Sequence, residues 1–154
     1  MKLGHVHQYK LNIQYCHLDM YSVVYHPRYL EIADSARNQA FSDFGYPVEE
    51  QLKDKVGFTV GSIDEVRYKR PLFMSEEITV STEVLDVSKK SCRVRHWINV
   101  GSGASNLESA IFSADYTLVF VSIEDINEFP LNTENIKRMK AVEFNQKVKK
   151  HLSF

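Results

Sequence analysis

The stretch "PRYLEIADSARNQAFSDFGYP", residues 27–47, contains the clearest helix signal in the chain. Pro27 suits the first turn of a helix, and Gly45 followed by Pro47 provides a stop. Small and apolar side chains recur every three or four residues between these ends, namely Tyr29, Ala33, Ala36 and Ala40, flanked by Leu30, Phe41 and Phe44. Because alanines permit close approach, we predict a long helix from Pro27 to Phe44 with a sheet curled around it.

The residues after this helix alternate with the period of two that is typical of β-strands. Four predicted strands follow one another at 58–68, 78–84, 92–100 and 107–123, and a weaker alternation at 5–15 predicts one strand ahead of the helix. Helix and strands segregated in this order indicate an α+β fold with an antiparallel sheet. We expect one main domain over residues 1–130, with residues 131–154 forming a C-terminal helical extension of it.

The composition favours one globular domain and excludes several function classes. The chain has 154 residues, 44% of them hydrophobic, and a formal net charge of −1, so no basic excess indicates nucleic acid. Two cysteines, Cys16 and Cys92, are too few for a disulfide framework, and no metal-binding Cys spacing occurs. No apolar run approaches the roughly 18 residues that cross a bilayer, and the N-terminus lacks a signal peptide's apolar core. We therefore expect a cytoplasmic protein without a membrane partner.

Asp19 stands a few residues ahead of the predicted helix start, where chemistry is possible. The first turn of a helix carries N–H groups without internal partners, here those of His26, Arg28 and Tyr29, and the helix dipole adds partial positive charge. Such an end binds a polarised carbonyl oxygen or an oxyanion, and a nearby carboxylate can attack the carbonyl carbon or activate water. The plainer alternative, that Asp19 only hydrogen-bonds its own loop, is equally good on this reasoning.

The segment "DMYSVVYHPRYL", residues 19–30, resembles the signature of the 4-hydroxybenzoyl-CoA thioesterase-like branch of the hotdog-fold acyl-CoA thioesterases. The resemblance continues in "DSAR" at 34–37, "VRYKRPL" at 66–72 and "SEEITV" at 75–80. It implies a hotdog fold, a five-stranded antiparallel sheet wrapped around one long central helix. It also implies dimers joined sheet edge to sheet edge, often tetramers, and acyl-CoA hydrolysis at the subunit interface without a metal or separate cofactor.

Carried over by position, the resemblance assigns roles to individual residues. Asp19 becomes the catalytic carboxylate, as nucleophile or general base, and His26 the residue whose backbone N–H polarises the thioester carbonyl. Tyr25 and Tyr29 would line the acyl end of the pocket. The family usually has glycine where this chain has Ser22, and serine follows the same path only if its torsions are ordinary.

Coenzyme A phosphates need cations. Lys89, Lys90 and Ser91 lie at a predicted hairpin tip, where the family often places such contacts, although a lysine pair in a turn is more often merely solvated. His5 and His7 share a strand face, but no acidic or thiol residue lies nearby in sequence, so we interpret them as surface residues and expect no metal site.

The expected activity is hydrolysis of a short-chain or aromatic acyl-CoA to free acid and coenzyme A by a homodimer or homotetramer. The acyl group should be of modest size because Tyr15, Tyr21, Tyr25 and Tyr29 crowd the region. One alternative is a hotdog-fold dehydratase or hydratase, whose His–carboxylate pair Asp19 and His26 could imitate. Another is a non-catalytic module that binds acyl thioesters.

Overall fold

The computed structural model describes residues 5–88, 90–101, 103, 105–123 and 136–138. Its helices are α1 (His26–Asp43) and α2 (Val48–Lys53), and a single 3₁₀ turn covers Tyr15–His17. Its strands are β1 (Val6–Asn12), β2 (Val56–Tyr68), β3 (Glu77–Val87), β4 (Ser91–Val100), β5 (Phe112–Ile123) and β6 (Ile136–Arg138). None of the helices in these residues is long and apolar enough to cross a membrane.

The strands form one antiparallel sheet in the order β1-β3-β4-β5-β2. The short strand β6 pairs with β5 at residues 121–123, beyond the last β4 partner at Val119. Helix α1 packs against β1 and β3 of this sheet. The predicted α+β hotdog architecture is therefore confirmed, with one short strand more than the five expected.

Helix α1 buries the predicted alanine face. Ala33, Ala36 and Ala40 are each 0% exposed, and Tyr29 and Phe41 are buried beside them. Methyl side chains keep the helix axis close to the sheet, so the strands can curl around it without leaving voids. The helix ends as the sequence predicted, because Gly45 adopts a φ of 88° and the Tyr46 N–H returns to the Phe41 carbonyl at 2.9 Å.

Strand β2 departs from the simple alternation that its sequence shows. Register shifts occur between Val60 and Ser62 and again between Asp64 and Arg67. The first shift turns Asp64 to the outer side of the sheet, where it is exposed and accepts a 2.8 Å hydrogen bond from Ser62. The second shift turns Tyr68 back to the helix side, opposite the buried Phe112. One continuous face from 58 to 68 is therefore wrong, because each β-bulge inserts a residue and reverses the parity.

Two further elements differ from the expectation. The short helix α2 was not predicted. Of the expected C-terminal helix over residues 131–154, the structure describes only Ile136–Arg138, and a helix is wrong for these three residues. Their backbone groups pair with the edge of β5 that β4 leaves open, which outweighs a weak apolar stripe. The rest of that prediction lies outside the described residues.

Candidate active site

Asp19 lies in a tight hairpin that runs directly into helix α1. The Tyr25 N–H donates to the His17 carbonyl at 3.0 Å, and the Asp19 N–H donates to the Val23 carbonyl at 2.9 Å. The turn closes when the Ser22 N–H donates to the Asp19 carbonyl at 3.0 Å. These bonds fix the Asp19 backbone with respect to the start of the helix.

Ser22 has a φ of 62° and so lies in the left-handed region that favours glycine. The expectation that serine needs ordinary torsions here is wrong, since the hairpin closes with serine on the path of the family's glycine. A residue with a Cβ in this region costs about 1–2 kcal/mol. The surrounding backbone hydrogen bonds hold the strained residue in place.

The Asp19 carboxylate makes the local hydrogen bond that the plainer alternative expected. Its Oδ1 accepts a 2.7 Å hydrogen bond from the Tyr21 N–H and so stabilises its own turn. In the part of the chain that the structure describes, no donor is bonded to Oδ2. One oxygen therefore orients the half-buried carboxylate, and the other has no hydrogen bond from the described residues.

The start of helix α1 leaves one backbone donor unused. Tyr25 precedes the helix in an extended conformation and caps it with no side-chain hydrogen bond, and Pro27 has no N–H. Arg28, one of the donors that the sequence offered, already gives its N–H to the Tyr25 carbonyl at 2.8 Å. The His26 N–H has no acceptor among the described residues, and the positive end of the helix dipole lies at the same point.

A pocket of about 320 Å³ opens beside this helix start. It is lined by Val24, His26, Tyr29, Tyr68, Lys69, Arg70 and Pro71. The Tyr29 and Tyr68 rings meet edge to face with centroids 5.2 Å apart. Burial is the main cause that raises the pKa of both phenols, so both hydroxyls stay protonated at neutral pH. The pocket thus combines two tyrosine rings with the side chains of Lys69 and Arg70, and His26, the residue with the unused N–H, is part of its lining.

Two of the predicted site residues, His26 and Tyr29, line this pocket. Tyr25 does not; it is 47% exposed, and its ring stands 5.0 Å from the His26 ring. Asp19 is not among the residues that line the pocket. Its hairpin is tied to the pocket at Val24, whose N–H donates to the Leu72 carbonyl at 2.9 Å.

The predicted phosphate contacts lie at the other end of the sheet within one chain. Lys89 is outside the described residues. Ser91 pairs with Val119, whereas Tyr68 pairs with Phe112, seven residues along β5. At about 3.3 Å per residue this separates the hairpin tip from the pocket by roughly 23 Å. Lys90 and Ser91 therefore do not reach the pocket of their own chain.

Three residues that line the pocket, Tyr68, Lys69 and Arg70, were not among the predicted site residues. The Arg70 guanidinium forms a salt bridge with the Glu76 carboxylate, with nitrogen–oxygen distances of 2.7 and 3.2 Å. This hydrogen bonding lowers the pKa of Glu76. Among the described residues, the Lys69 ammonium makes a single long hydrogen bond, 3.4 Å to the Glu108 carbonyl. The sequence feature that could have indicated these pocket residues is the run of polar and aromatic residues directly ahead of Pro71.

His7 is not the surface residue that we expected. Its Nε2 lies 2.6 Å from the Asp43 carboxylate at the end of α1, and its side chain is largely buried. Asp43 is distant in sequence, which is why the pairing was missed. Within the described ranges, no group of three or more His, Cys, Asp or Glu side chains could hold a metal ion. Catalysis without a metal stays a prediction.

One long helix packed against an antiparallel sheet in this strand order is the architecture of the hotdog-fold proteins. A family model described as the thioesterase-like superfamily matches residues 14–152. The chain belongs to this superfamily, so the predicted family is confirmed.

Solved structures share this fold. A DHNA-CoA thioesterase from Staphylococcus aureus aligns at 18% identity with a TM-score of 0.75, over 96% of this chain and 89% of that one. A gentisyl-coenzyme A thioesterase aligns at 21% identity and a TM-score of 0.66, over 75% and 89%. A Staphylococcus aureus protein in complex with CoA aligns at 10% identity and a TM-score of 0.71, over 99% and 87%. No curated protein matches the chain.

Proposed function

We propose that the protein hydrolyses an acyl-CoA thioester to the free acid and coenzyme A. The observation that carries this proposal is the unused N–H of His26, a residue that lines the pocket, in a chain segment that also fixes the Asp19 carboxylate. A donor and a carboxylate held by one hydrogen-bonded unit suit attack on a carbonyl group. Membership of the thioesterase-like superfamily supports the same chemistry.

In the proposed reaction, the thioester carbonyl oxygen accepts a hydrogen bond from the His26 N–H and is polarised by the helix dipole. Asp19 Oδ2 then attacks the carbonyl carbon and expels the coenzyme A thiolate, leaving a mixed anhydride that water hydrolyses. Alternatively, Oδ2 takes a proton from a water molecule that attacks the same carbon, and the proton passes to the departing thiolate. Both routes yield one acid and one thiol.

The pocket supports a short or aromatic acyl group as substrate. Its volume of about 320 Å³ and its walls of Tyr29, Tyr68 and Pro71 suit a flat, apolar group. The named substrates of two structural relatives, DHNA-CoA and gentisyl-coenzyme A, agree with this choice, as does the relative solved with CoA. A cytoplasmic location remains a proposal that rests on the sequence alone.

In a homodimer or homotetramer, the β3–β4 hairpin tip could approach the pocket of a neighbouring subunit. Strand β2 lies at the edge of the sheet order and spans 13 residues. Antiparallel pairing of two β2 edges about a two-fold axis would set the Val56 end of one subunit beside the Tyr68 end of the other. Because Lys90 and Ser91 lie at the Val56 end, they would approach the partner's pocket and could bind the phosphates there.

The test is a panel of short-chain, aromatic and long-chain acyl-CoA esters with detection of the released thiol. Asp19→Asn preserves size and removes the reactive lone pair, so we expect kcat to fall at least about a hundredfold with the fold intact. His26→Ala should cost less because the backbone N–H remains. The matched control is Asp43→Asn, at the far end of α1, which should keep full activity.

Each alternative function predicts a different outcome. Hydration of an enoyl-CoA without thiol release would favour the dehydratase alternative, although no hydrogen bond joins the His26 ring to Asp19 within the described residues. Saturable binding without turnover would favour the binding module. Retention of more than about a tenth of kcat by Asp19→Asn, a loss below about 1.4 kcal/mol, would contradict the proposed mechanism.

A further inference from the structure

We propose that Tyr68 positions the His26 backbone donor, so that a hydroxyl from the sheet aligns the oxyanion site. This inference rests on the proposed function of the helix start. The Tyr68 hydroxyl donates to the His26 carbonyl oxygen at 3.2 Å. Its ring stands nearly perpendicular to the His26 ring, with centroids 6.5 Å apart. Tyr68 thus touches the donor residue through both its polar and its apolar parts.

The helix start has no capping side chain. Ser, Thr, Asp and Asn are favoured before a helix because their side chains accept a hydrogen bond from its first turn, whereas Tyr25 provides none. Tyr68 instead bonds to the carbonyl group of the first helical residue, His26. Fixing this carbonyl fixes the plane of the peptide that follows His26, which limits rotation about the bonds that aim the His26 N–H.

The sheet is built so that Tyr68 reaches this position. The register shift between Asp64 and Arg67, where Glu65 has a φ of 53°, turns Tyr68 toward the helix. The ring is then held between Tyr29 and Phe112, at centroid distances of 5.2 and 5.1 Å. A regular strand would have kept Tyr68 on the same side as the exposed Asp64.

A second tyrosine, Tyr29 on the helix, bonds to the segment that follows Tyr68. The Tyr29 hydroxyl, on the helix, accepts the Leu72 N–H at 3.0 Å, and the Leu72 carbonyl accepts the Val24 N–H from the Asp19 hairpin. The segment 68–72 therefore bonds both to the helix start and to the hairpin that carries the carboxylate. Of the residues in these hydrogen bonds, Tyr68 is the one that bonds directly to His26.

Packing alone does not need the Tyr68 hydroxyl. The residue is 44% exposed, and phenylalanine would make the same ring contacts. Tyr68→Phe therefore separates the positioning role from a packing role. We expect kcat to fall about tenfold, while KM changes less than about twofold, because misalignment weakens an interaction that strengthens in the transition state. The melting temperature should stay close to that of the wild type.

A spectroscopic measurement reports on the donor directly. In ¹⁵N-labelled protein, Tyr68→Phe should shift the His26 amide signal and weaken its response to a non-hydrolysable thioether analogue of the substrate. The matched control is Tyr46→Phe, which removes a phenol hydroxyl from a fully buried tyrosine beyond the other end of α1. This control should leave both kcat and the His26 amide unchanged.

The outcomes separate the two proposals. If the wild type hydrolyses no thioester, the proposed function fails, and the His26 amide alone decides whether Tyr68 holds the helix start. If the wild type is active and Asp19→Asn is not, but Tyr68→Phe keeps wild-type kcat and an unshifted His26 amide, the role of Tyr68 is overturned. A loss of melting temperature in Tyr68→Phe with kcat intact would also overturn it, in favour of packing.

Discussion

Among single residues, His96 is a buried group whose acid–base behaviour is altered by its surroundings. It is 0% exposed on the helix side of β4, and its Nδ1 lies 3.0 Å from the Thr82 hydroxyl. Burial, together with the charge of Arg37, lowers the pKa of His96 from 6.5 to about 3. The imidazole is therefore neutral in the folded protein at any pH at which the protein is expected to work.

This pKa predicts how stability depends on pH. Below pH 6.5 the unfolded chain protonates His96 while the folded chain does not, so the free energy of unfolding falls as the pH drops from about 6.5 toward 3. The slope from one group is at most about 1.4 kcal/mol per pH unit. Urea denaturation of the wild type and of His96→Leu between pH 4 and 7 measures the difference. Parallel profiles for the two proteins would contradict a neutral buried His96.

The candidate site residues that the sequence could propose are those whose roles depend on neighbours in the chain. Asp19 and His26 could be proposed because one hairpin and one helix start define both. Tyr68 could not be assigned, because its direction depends on a bulge that reverses the strand parity. The His7–Asp43 pair joins residues far apart in sequence, so no local pattern predicts it.

Among the elements, helix α1 was the most predictable because its signals agree with one another. The stop at Gly45, the alanine face and the period of the apolar residues all indicate the same helix. Strand β2 was less predictable, since its alternation appeared regular while its pairing contains two register shifts. The positions of bulges depend on how the sheet curves around the helix. The sequence of a single strand does not show this curvature.

The alanine face of α1 predicts a strict limit on side-chain volume. Ala36→Leu would insert three carbon atoms where Ala36 is 0% exposed, so we expect a destabilisation of about 1–3 kcal/mol. Urea denaturation would measure this change. Asn38→Leu, on the exposed side of the same helix, is the control and should stay within about 0.5 kcal/mol of the wild type. Equal effects at both positions would mean that the sheet does not pack closely on this face.

For the whole molecule, the position of the hairpin tip predicts that one subunit serves the other's pocket. Replacing Lys89 and Lys90 by alanine should raise KM for acyl-CoA by about threefold or more at low salt, with a smaller effect on kcat, since remote phosphate contacts are mostly uniform binding. Light scattering should show at least a dimer.

A hybrid dimer provides the sharper measurement. One subunit carries Asp19→Asn and the other carries the two lysine substitutions, with different affinity tags for purification. If the hairpin serves the partner, one of the two sites combines an intact Asp19 with intact lysines. The hybrid should then show about half of the wild-type kcat with the wild-type KM. A raised KM in the hybrid would place the lysines in the pocket of their own chain, and an unchanged KM in the double variant would leave them as solvated residues.

The strand order also determines when the sheet can form during synthesis. Strand β2 bonds to β5 alone among the named strands, with Tyr68 opposite Phe112 and Val56 opposite Ser122. At roughly 5–20 residues per second, the ribosome needs several seconds to extend the chain from β2 to the end of β5. The β3–β4 hairpin can close in the meantime, because its strands are adjacent in sequence. Nascent chains that stop before Phe112 therefore carry an unpaired β2, the surface that a chaperone would bind.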